Sequence, residues 1–410
     1  MFGHQFRDKY FSTLSSSVIP VNHGSFGTVP SPVYDVYLSK LAEYSEFPDR
    51  FFNLHQKEVY VDSLKVLAQV LHCDYRDLAM VDNATTALAT VLRSFPFQAG
   101  DTFVYHSTGY GPSKNLLYFM RDQYKINLVE VKITYPISNK EIVSKFKEAF
   151  EIHKPKLCMF DVISSMPGTV MPYVELIQLC KQYDVLSLVD GAHAIGNIPQ
   201  DLGKLQPDFY TSLMHKWYFV PRPSAVLYVN RKHHTKVQAF PTYDYSTKED
   251  VDENILIDKF SFWVYRHHVS IWTVPDAQKF RDEVCGGEEN IYNYCHSLAM
   301  EVGKLISEEW GTSYLDDEDQ ISTMVNVEVP VSPKLLENWT DVEPKFKKEL
   351  FGKNTFVPCV IHNGKLYARF SCQIFNEISD YQSASKLLLE VLQQLEEIYL
   401  HENFSTSLSL

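Results

Sequence analysis

A lysine attacks a carbonyl near pH 7 only when its amine is stripped of water or set beside other cations. Lys216 is placed for such treatment. It follows the β-type run DFYTSLMH and stands between His215 and Trp217. Upstream, VLSLVDGAHA reads as a buried apolar strand ending on Asp190, with His193 just beyond. A carboxylate at a strand end can pair with a protonated ring nitrogen and so make that ring an electron sink. Earlier still, Asp82-Asn83-Ala84-Thr85-Thr86-Ala87 joins a short apolar run to a helical pattern. N–H groups at a helix start, with the hydroxyls of Thr85 and Thr86, form a cradle for phosphate. Each feature alone has a plainer reading: a surface lysine, an acid capping a turn, an N-cap on Thr85 or Thr86. Together, in this order, they describe a site for a phosphorylated ring aldehyde, the chemistry of pyridoxal phosphate (PLP).

The elements that must position these groups are legible in outline. Between about residues 55 and 230, helical patterns alternate with short apolar runs. Examples are HQKEVYVDSLKVLAQVLH and PSKNLLYFMRDQY for helices, DTFVYHS and KLCMFDVISS for strands. Such alternation predicts an α/β class with a mostly parallel sheet and helices on both faces. The pattern changes after about residue 240. Residues 240–276 are aromatic-rich and irregular, and ENIYNYCHSLAMEVGKLISEEWG follows as a long helical stretch. STMVNVEVP alternates as an antiparallel strand would, Asn363-Gly364 signals a hairpin, and SASKLLLEVLQQLEEIYL closes as an amphipathic helix. The expected division is a large domain over 20–275 and a small α+β domain from 1–19 and 276–410.

The motifs N-A-T-T-A, V-D-G-A-H-A and H-K-W stand here in the order found in the class V aminotransferase family of PLP enzymes. The chain resembles that family from Asn22-His23-Gly24-Ser25-Phe26-Gly27 to Arg369-Phe370-Ser371. It is similar to the branch of isopenicillin N epimerase-like proteins and fungal hercynylcysteine sulfoxide lyases, in N-H-G-S-F-G and R-F-S-C-Q-I-F-N-E. The resemblance implies the PLP-dependent transferase fold of type I, with a seven-stranded-type sheet, a smaller α+β C-terminal domain and a homodimer. It implies that Lys216 forms the Schiff base and later moves the α-proton. Asp190 then binds the pyridine nitrogen, and His193 lies beside the ring or its O3′ side. Ala84 and Thr85 offer N–H groups to phosphate, Thr86 its hydroxyl, and His215 a further contact. Tyr110 covers the ring face and can act as an acid. Ser164 reaches O3′. Arg369 clamps the substrate carboxylate with its planar fork, and Asn22 and His23 line the substrate mouth.

The chain departs from the family at two places. Leu213 stands where relatives often have Ser or Asn. Relatives often carry W-x-G-T, but here Phe262-Trp263-Val264-Tyr265-Arg266 is followed by His267-His268. The paired histidines read as a solvated turn, because no carboxylate or third histidine sits at ligand spacing, and no metal is expected.

PLP supports several reactions on one scaffold, and the protein selects among them. The branch implies C–S cleavage of a cysteine-derived amino acid by β-elimination, of the kind used in ergothioneine biosynthesis. Lys216 would remove the α-proton and Tyr110 would assist departure of sulfur. Phe240, Tyr243, Tyr245, Phe260, Phe262 and Trp263 offer rings for a cationic betaine. One alternative is a cysteine desulfurase using Cys359, although V-P-C-V-I places that thiol inside a hairpin arm. Others are an epimerase or aminotransferase, and a scaffold protein that has lost catalysis.

The bulk composition fits this picture. The chain has 410 residues and a net charge of −13. An acidic surface disfavours nucleic acid as a partner. Seven cysteines occur with no C-x-x-C pair, as in a reduced intracellular protein. MFGHQFRDKYF lacks the apolar stretch of a signal peptide, and no run suits a membrane span. The cytoplasm is the expected compartment.

Overall fold

Short runs of Val, Leu, Phe and Met form the centre of the protein. A computed structural model describes residues 2–242, 253–261 and 269–407, with side chains to 398. Seven strands make the main sheet: β1 (Leu78–Val81), β2 (Thr102–His106), β3 (Asn127–Val131), β4 (Leu157–Asp161), β5 (Leu186–Asp190), β6 (Phe209–Leu213) and β7 (Ala225–Val229). Their order is β1-β7-β6-β5-β4-β2-β3. Every residue of β1, β4, β6 and β7 is buried, whereas edge strand β3 is largely open. That is why the inner strands read as unbroken apolar runs and not as alternating ones. Helices Ala84–Ser94, Gly111–Tyr124, Asn139–His153 and Tyr173–Gln182 connect the strands and pack on the sheet.

Only β7 runs against its neighbours β1 and β6. The carboxyl ends of β1, β2, β4, β5 and β6 therefore share one edge, the edge at which open α/β sheets bind ligands. β4 and β5 pair in parallel register, so Asp161 and Asp190 stand side by side there. β6 runs directly into a helical turn, Met214–Trp217, that carries Lys216.

A second, antiparallel sheet follows: β8 (Met324–Glu328), β9 (Cys359–His362) and β10 (Lys365–Ser371), with β10 in the middle. Asn363 and Gly364 both take positive φ between β9 and β10, the conformation a two-residue hairpin requires. Helix Glu288–Trp310 packs on β8, and the last helix, Ile378–Ser407, packs on Glu288–Trp310. That last helix starts earlier than the apolar period at 383 suggests, because the Asp380 carboxylate accepts from the Glu377 N–H at 2.9 Å and opens its first turn.

The segment Asn22–Gly27 joins the two sheets. Asn22 bridges to Ser371 on β10, and His23–Phe26 forms one helical turn against Met214–Trp217. The contact is too close for any other side chain at Gly27. A Cβ there would lie 1.8 Å from the His215 carbonyl oxygen, and φ is +69°. Gly24 is similarly confined, with Met324 Sδ at 2.9 Å and the Trp217 ring at 3.0 Å from a Cβ position. Gly27→Ala is expected to cost the fold about 2–4 kcal/mol. A urea midpoint unchanged from the parent protein would refute this.

Candidate active site

A cavity of about 390 Å³ opens at the shared strand edge and is lined by Asn83, Ala84, Thr85, Tyr110, Asp161, Asp190, His193, Leu213, His215 and Lys216, with Ser25, Phe26 and Ser165 also on its wall. The three separated motifs thus meet around one space.

Lys216 is partly buried on the cavity wall, and its Nζ lies 2.9 Å from His193 Nε2. Burial, then the charge of Arg369, lowers its pKa to about 7, against the opposing pull of Asp190 and Asp161. The neutral, nucleophilic amine is therefore well populated at neutral pH. Asp190 accepts from Ser113 Oγ at 3.1 Å and from the Ala192 N–H at 3.1 Å, which fixes both oxygens. Burial, then the charge of Asp161, pushes its pKa up to about 6. A protonated ring nitrogen beside it would reverse that shift.

The phosphate end is built by a cap. Asn83 Oδ1 accepts the Thr86 N–H at 2.8 Å and starts helix Ala84–Ser94, so the N-cap is Asn83, not Thr85 or Thr86. The Ala84 and Thr85 N–H groups, in the first turn, have no protein acceptor among the described residues and sit at the cavity wall. They are free for an anion at a helix N-terminus. Thr86 does not reach this cavity. It borders a neighbouring one with Arg93 and Gln238. His215 does line the site, with Nδ1 held at the Ser224 backbone (3.0 Å to the carbonyl), and burial lowers its pKa to about 4.

Arg369 reaches across from β10. It donates from Nη1 to the Ser165 carbonyl at 2.6 Å and from Nη2 to Asn22 Oδ1 and Ser25 Oγ, each at 3.0 Å. Its Nε has no partner, and no carboxylate pairs with it among the described residues. Burial alone pulls its pKa down to about 10. A buried cation without an anion is costly, and its planar fork has the shape to take a carboxylate.

Ser164 and His23 also lie off the cavity wall. Ser164 is buried and spends its hydroxyl on the Pro167 and Thr169 carbonyls at 2.8 and 3.2 Å, closing the loop after β4. Ser165 lines the cavity in its place. His23 is not at the mouth. Its ring packs 5.1 Å from Trp217 and 5.6 Å from Phe375, it bonds the Lys216 backbone, and burial drives its pKa down to about 3. It supports the lysine from behind. Asn22 orients Arg369 and Ser25 rather than facing the cavity itself. Tyr110, 46% exposed at the start of helix Gly111–Tyr124, does stand on the wall. Asp161 was not anticipated, although its strand-end position matches that of Asp190. Of the aromatic candidates, Phe260 is buried in the core and Phe240 lies exposed beside Thr86. Tyr243, Tyr245 and 262–268, with Arg266 and the paired histidines, fall outside the described residues.

A family model described as "Aminotransferase class-V" matches residues 30–253. The chain belongs to that family. Hercynylcysteine sulfoxide lyase of Schizosaccharomyces pombe is 31% identical over 95% of this chain and 97% of its own length. L-cysteine desulfhydrase of Arabidopsis thaliana is 26% identical over 94% and 90%. A solved lysine-to-alanine mutant of C-DES, with glycine covalently linked to its PLP cofactor, superposes with a TM-score of 0.78 at 15% identity, covering 93% of this chain and 98% of that one. The fold is therefore PLP fold type I, and the protein is a PLP-dependent enzyme. The residues fit that cofactor: free N–H groups at Ala84 and Thr85 for phosphate, Asp190 for the ring nitrogen, and a neutral Lys216 for the carbonyl.

Asp190 makes apoprotein stability depend on pH. Its pKa in the fold, about 6, lies above the ordinary 3.8, so its favourable contribution is complete below pH 3.8 and is lost as pH rises through 6. Asp190→Asn is expected to flatten the fall in apoprotein stability across this window. Urea unfolding at a series of pH values checks it, and identical slopes in both proteins would contradict it.

Proposed function

We propose that this PLP enzyme breaks the C–S bond of a cysteine-derived amino acid by β-elimination, with hercynylcysteine sulfoxide as substrate in ergothioneine biosynthesis. The observation that carries the reading is a Lys216 on the cavity wall whose pKa is lowered to about 7, in part by the charge of the anion-free Arg369 close by. Such a pair suits an α-amino acid whose carboxylate is gripped while its α-proton is removed. Similarity along nearly the whole chain to a sulfoxide lyase and to a cysteine desulfhydrase favours sulfur as the leaving atom.

Bound here, PLP supplies an electron sink for charge at the α-carbon. Arg369 holds the carboxylate. Lys216 Nζ takes the α-proton. The C–S electron pair leaves with sulfur, which Tyr110 Oη protonates. The three-carbon fragment departs as 2-aminoacrylate, which water converts to pyruvate and ammonia. Phe26 and Tyr110, both exposed on the cavity wall, offer rings to a trimethylammonium group at the mouth.

A persulfide route through Cys359 is disfavoured. The thiol is fixed on β9, bonded to the Val357 carbonyl at 3.7 Å, and burial pushes its pKa up. A buried, protonated thiol is a poor nucleophile.

The reading assigns cofactor binding to residues 20–275 and the carboxylate clamp to a small domain of 1–19 and 276–410. It also assigns a homodimer. Leu38, Phe47 and Leu54 stand exposed in one stretch of the chain, and a second copy would cover them. No helix among the described residues is long and apolar enough to cross a membrane, and the cytoplasm is the compartment proposed.

With hercynylcysteine sulfoxide and no keto acid, the expected products are pyruvate and ammonia. Alanine with sulfide from L-cysteine would overturn the lyase in favour of a desulfurase. Lys216→Ala is expected to lose roughly 10³-fold in turnover. Cys359→Ala is expected to release sulfur at the parent rate, and a large loss would restore the persulfide route. Light scattering on a size-exclusion column should give twice the 47.4 kDa of one chain. The monomer mass would reject the dimer.

A further inference from the structure

Trp217 follows Lys216 directly, is buried, and takes no part in the chemistry just described. Its indole nitrogen lies 3.3 Å from His193 Nδ1, on the side of the imidazole opposite Lys216. An indole N–H can only donate. His193 Nδ1 must therefore present a lone pair. A neutral imidazole with a lone pair on Nδ1 carries its proton on Nε2. That Nε2–H points at Lys216 Nζ, 2.9 Å away.

The amine then has to accept. An unprotonated amine has a lone pair for this bond, and an ammonium has none. A charged Lys216 would meet His193 N–H against N–H, unless the imidazole moved its proton to Nδ1 and clashed with the indole instead. We propose that Trp217 is a positioning residue that locks His193 in its Nε2–H tautomer and thereby selects the neutral, nucleophilic form of Lys216. The proposal rests on Lys216 being the cofactor lysine.

The surroundings hold the arrangement still. The Trp217 carbonyl takes Arg281 Nη1 at 2.9 Å, and the same guanidinium donates to the Gly196 carbonyl at 3.2 Å. The loop carrying His193 is pinned to β6, where Ser212 Oγ accepts from the Ile195 N–H at 3.0 Å and donates to the Gly191 carbonyl. These bonds fix the backbones from which the indole and the imidazole project. His193 is buried, and burial, then the charge of Lys216, holds its pKa well below the usual value, so the imidazolium does not compete. The other charged or titratable groups around Lys216 are Arg369 on β10, Asp190 on β5, Asp161 on β4 and His215 on its own turn. Substitution of Trp217 leaves all of them in place.

The test uses the full chain without cofactor. Limiting acetic anhydride over a pH series, with acetylation at Lys216 read by mass spectrometry, gives the amine pKa. Nitrogen-15 NMR of labelled histidine gives the His193 tautomer. The expected wild-type result is the Nε2–H tautomer, and an Nδ1–H tautomer would overturn the proposal even if no variant folds. Trp217→Phe keeps the packing and removes the N–H. It is expected to mix the tautomers and raise the Lys216 pKa by about one unit, the size of one net hydrogen bond. An unchanged pKa and tautomer would refute the lock. His193→Gln can accept from the indole through Oε1 and donate to Lys216 through Nε2, so it should keep the low pKa, and it should lose it when Trp217→Phe is added. A purely structural role for Trp217 would not give that conditional result. Borohydride trapping of PLP on Lys216 in the wild-type protein tests the cofactor reading separately. Failure to trap there would leave the tautomer and pKa measurements as they stand.

Discussion

One amine must stay uncharged in a buried place that also holds a buried guanidinium. Much of the site follows from that requirement. Water would protonate Lys216, so burial comes first among the causes that lower its pKa to about 7, and the charge of Arg369 comes second. Asp190 and Asp161 pull the other way, yet neither forms a direct bond to Nζ among the described residues. Asp190 is instead occupied by Ser113 and the Ala192 N–H, while Asp161 donates its backbone N–H to His106 Nε2 at 3.4 Å. An acid in contact with Lys216 would have held it as an inert ammonium.

The coupling to Arg369 gives the requirement a direction. An amino-acid substrate that places its carboxylate on Arg369 cancels the positive charge that helps to keep Lys216 neutral. The amine then becomes more basic when it is needed to take the α-proton. Arg369 thus acts twice, first favouring a nucleophilic lysine and then, once occupied, a basic one. This depends on Arg369 having no internal acid. Its partners are two side-chain oxygens and a carbonyl, which orient the guanidinium without neutralising it. The Asn22–Gly27 segment brings Asn22 and Ser25 to the arginine and seats His23 behind the lysine. The amine and the guanidinium, from separate sheets, are placed by the same few residues, and the tight fit at Gly24 and Gly27 leaves little slack between them.

What the sequence revealed depended on how locally each position is determined. Asp190 is legible because it ends an apolar strand and Lys216 because it stands in the turn just after one, and strand ends in an α/β sheet share an edge. Asp161 ends a strand in the same way but sits in FDVISS, whose serines drew attention past it. Ser164 was misplaced by one residue because the chain leaves strand geometry after Asp161, so alternation no longer says which side chain faces in. Thr86 gives its N–H to the Asn83 cap, and its side chain borders the neighbouring cavity. His23 and Trp217 were beyond reach. Their roles depend on contacts between segments far apart in the chain, and no periodicity records those. The seven-stranded sheet, by contrast, follows from the apolar runs themselves, and the β9–β10 hairpin from Asn363-Gly364.

The fate of the sulfur depends on what stands at the open side of the cavity. There the wall is Tyr110 and Phe26, and no cysteine lines it among the described residues. A desulfurase must bring a thiolate onto the substrate sulfur, with that thiolate both ionised and mobile. Cys359 is neither, being paired in register with Ala368 on β10 and protonated by burial. In the proposed reaction no nucleophile receives the sulfur, so it leaves with the bonding electrons and the leaving group needs a proton. The phenol of Tyr110 is the hydroxyl on that open wall that can give one while its ring faces solvent. The same openness lets a bulky sulfur substituent extend outward, away from the Asn83 cradle and the Asp190 strand end. A site arranged in this way places its specificity at the mouth, while the pair of Lys216 and Arg369 needs only the α-amino-acid end.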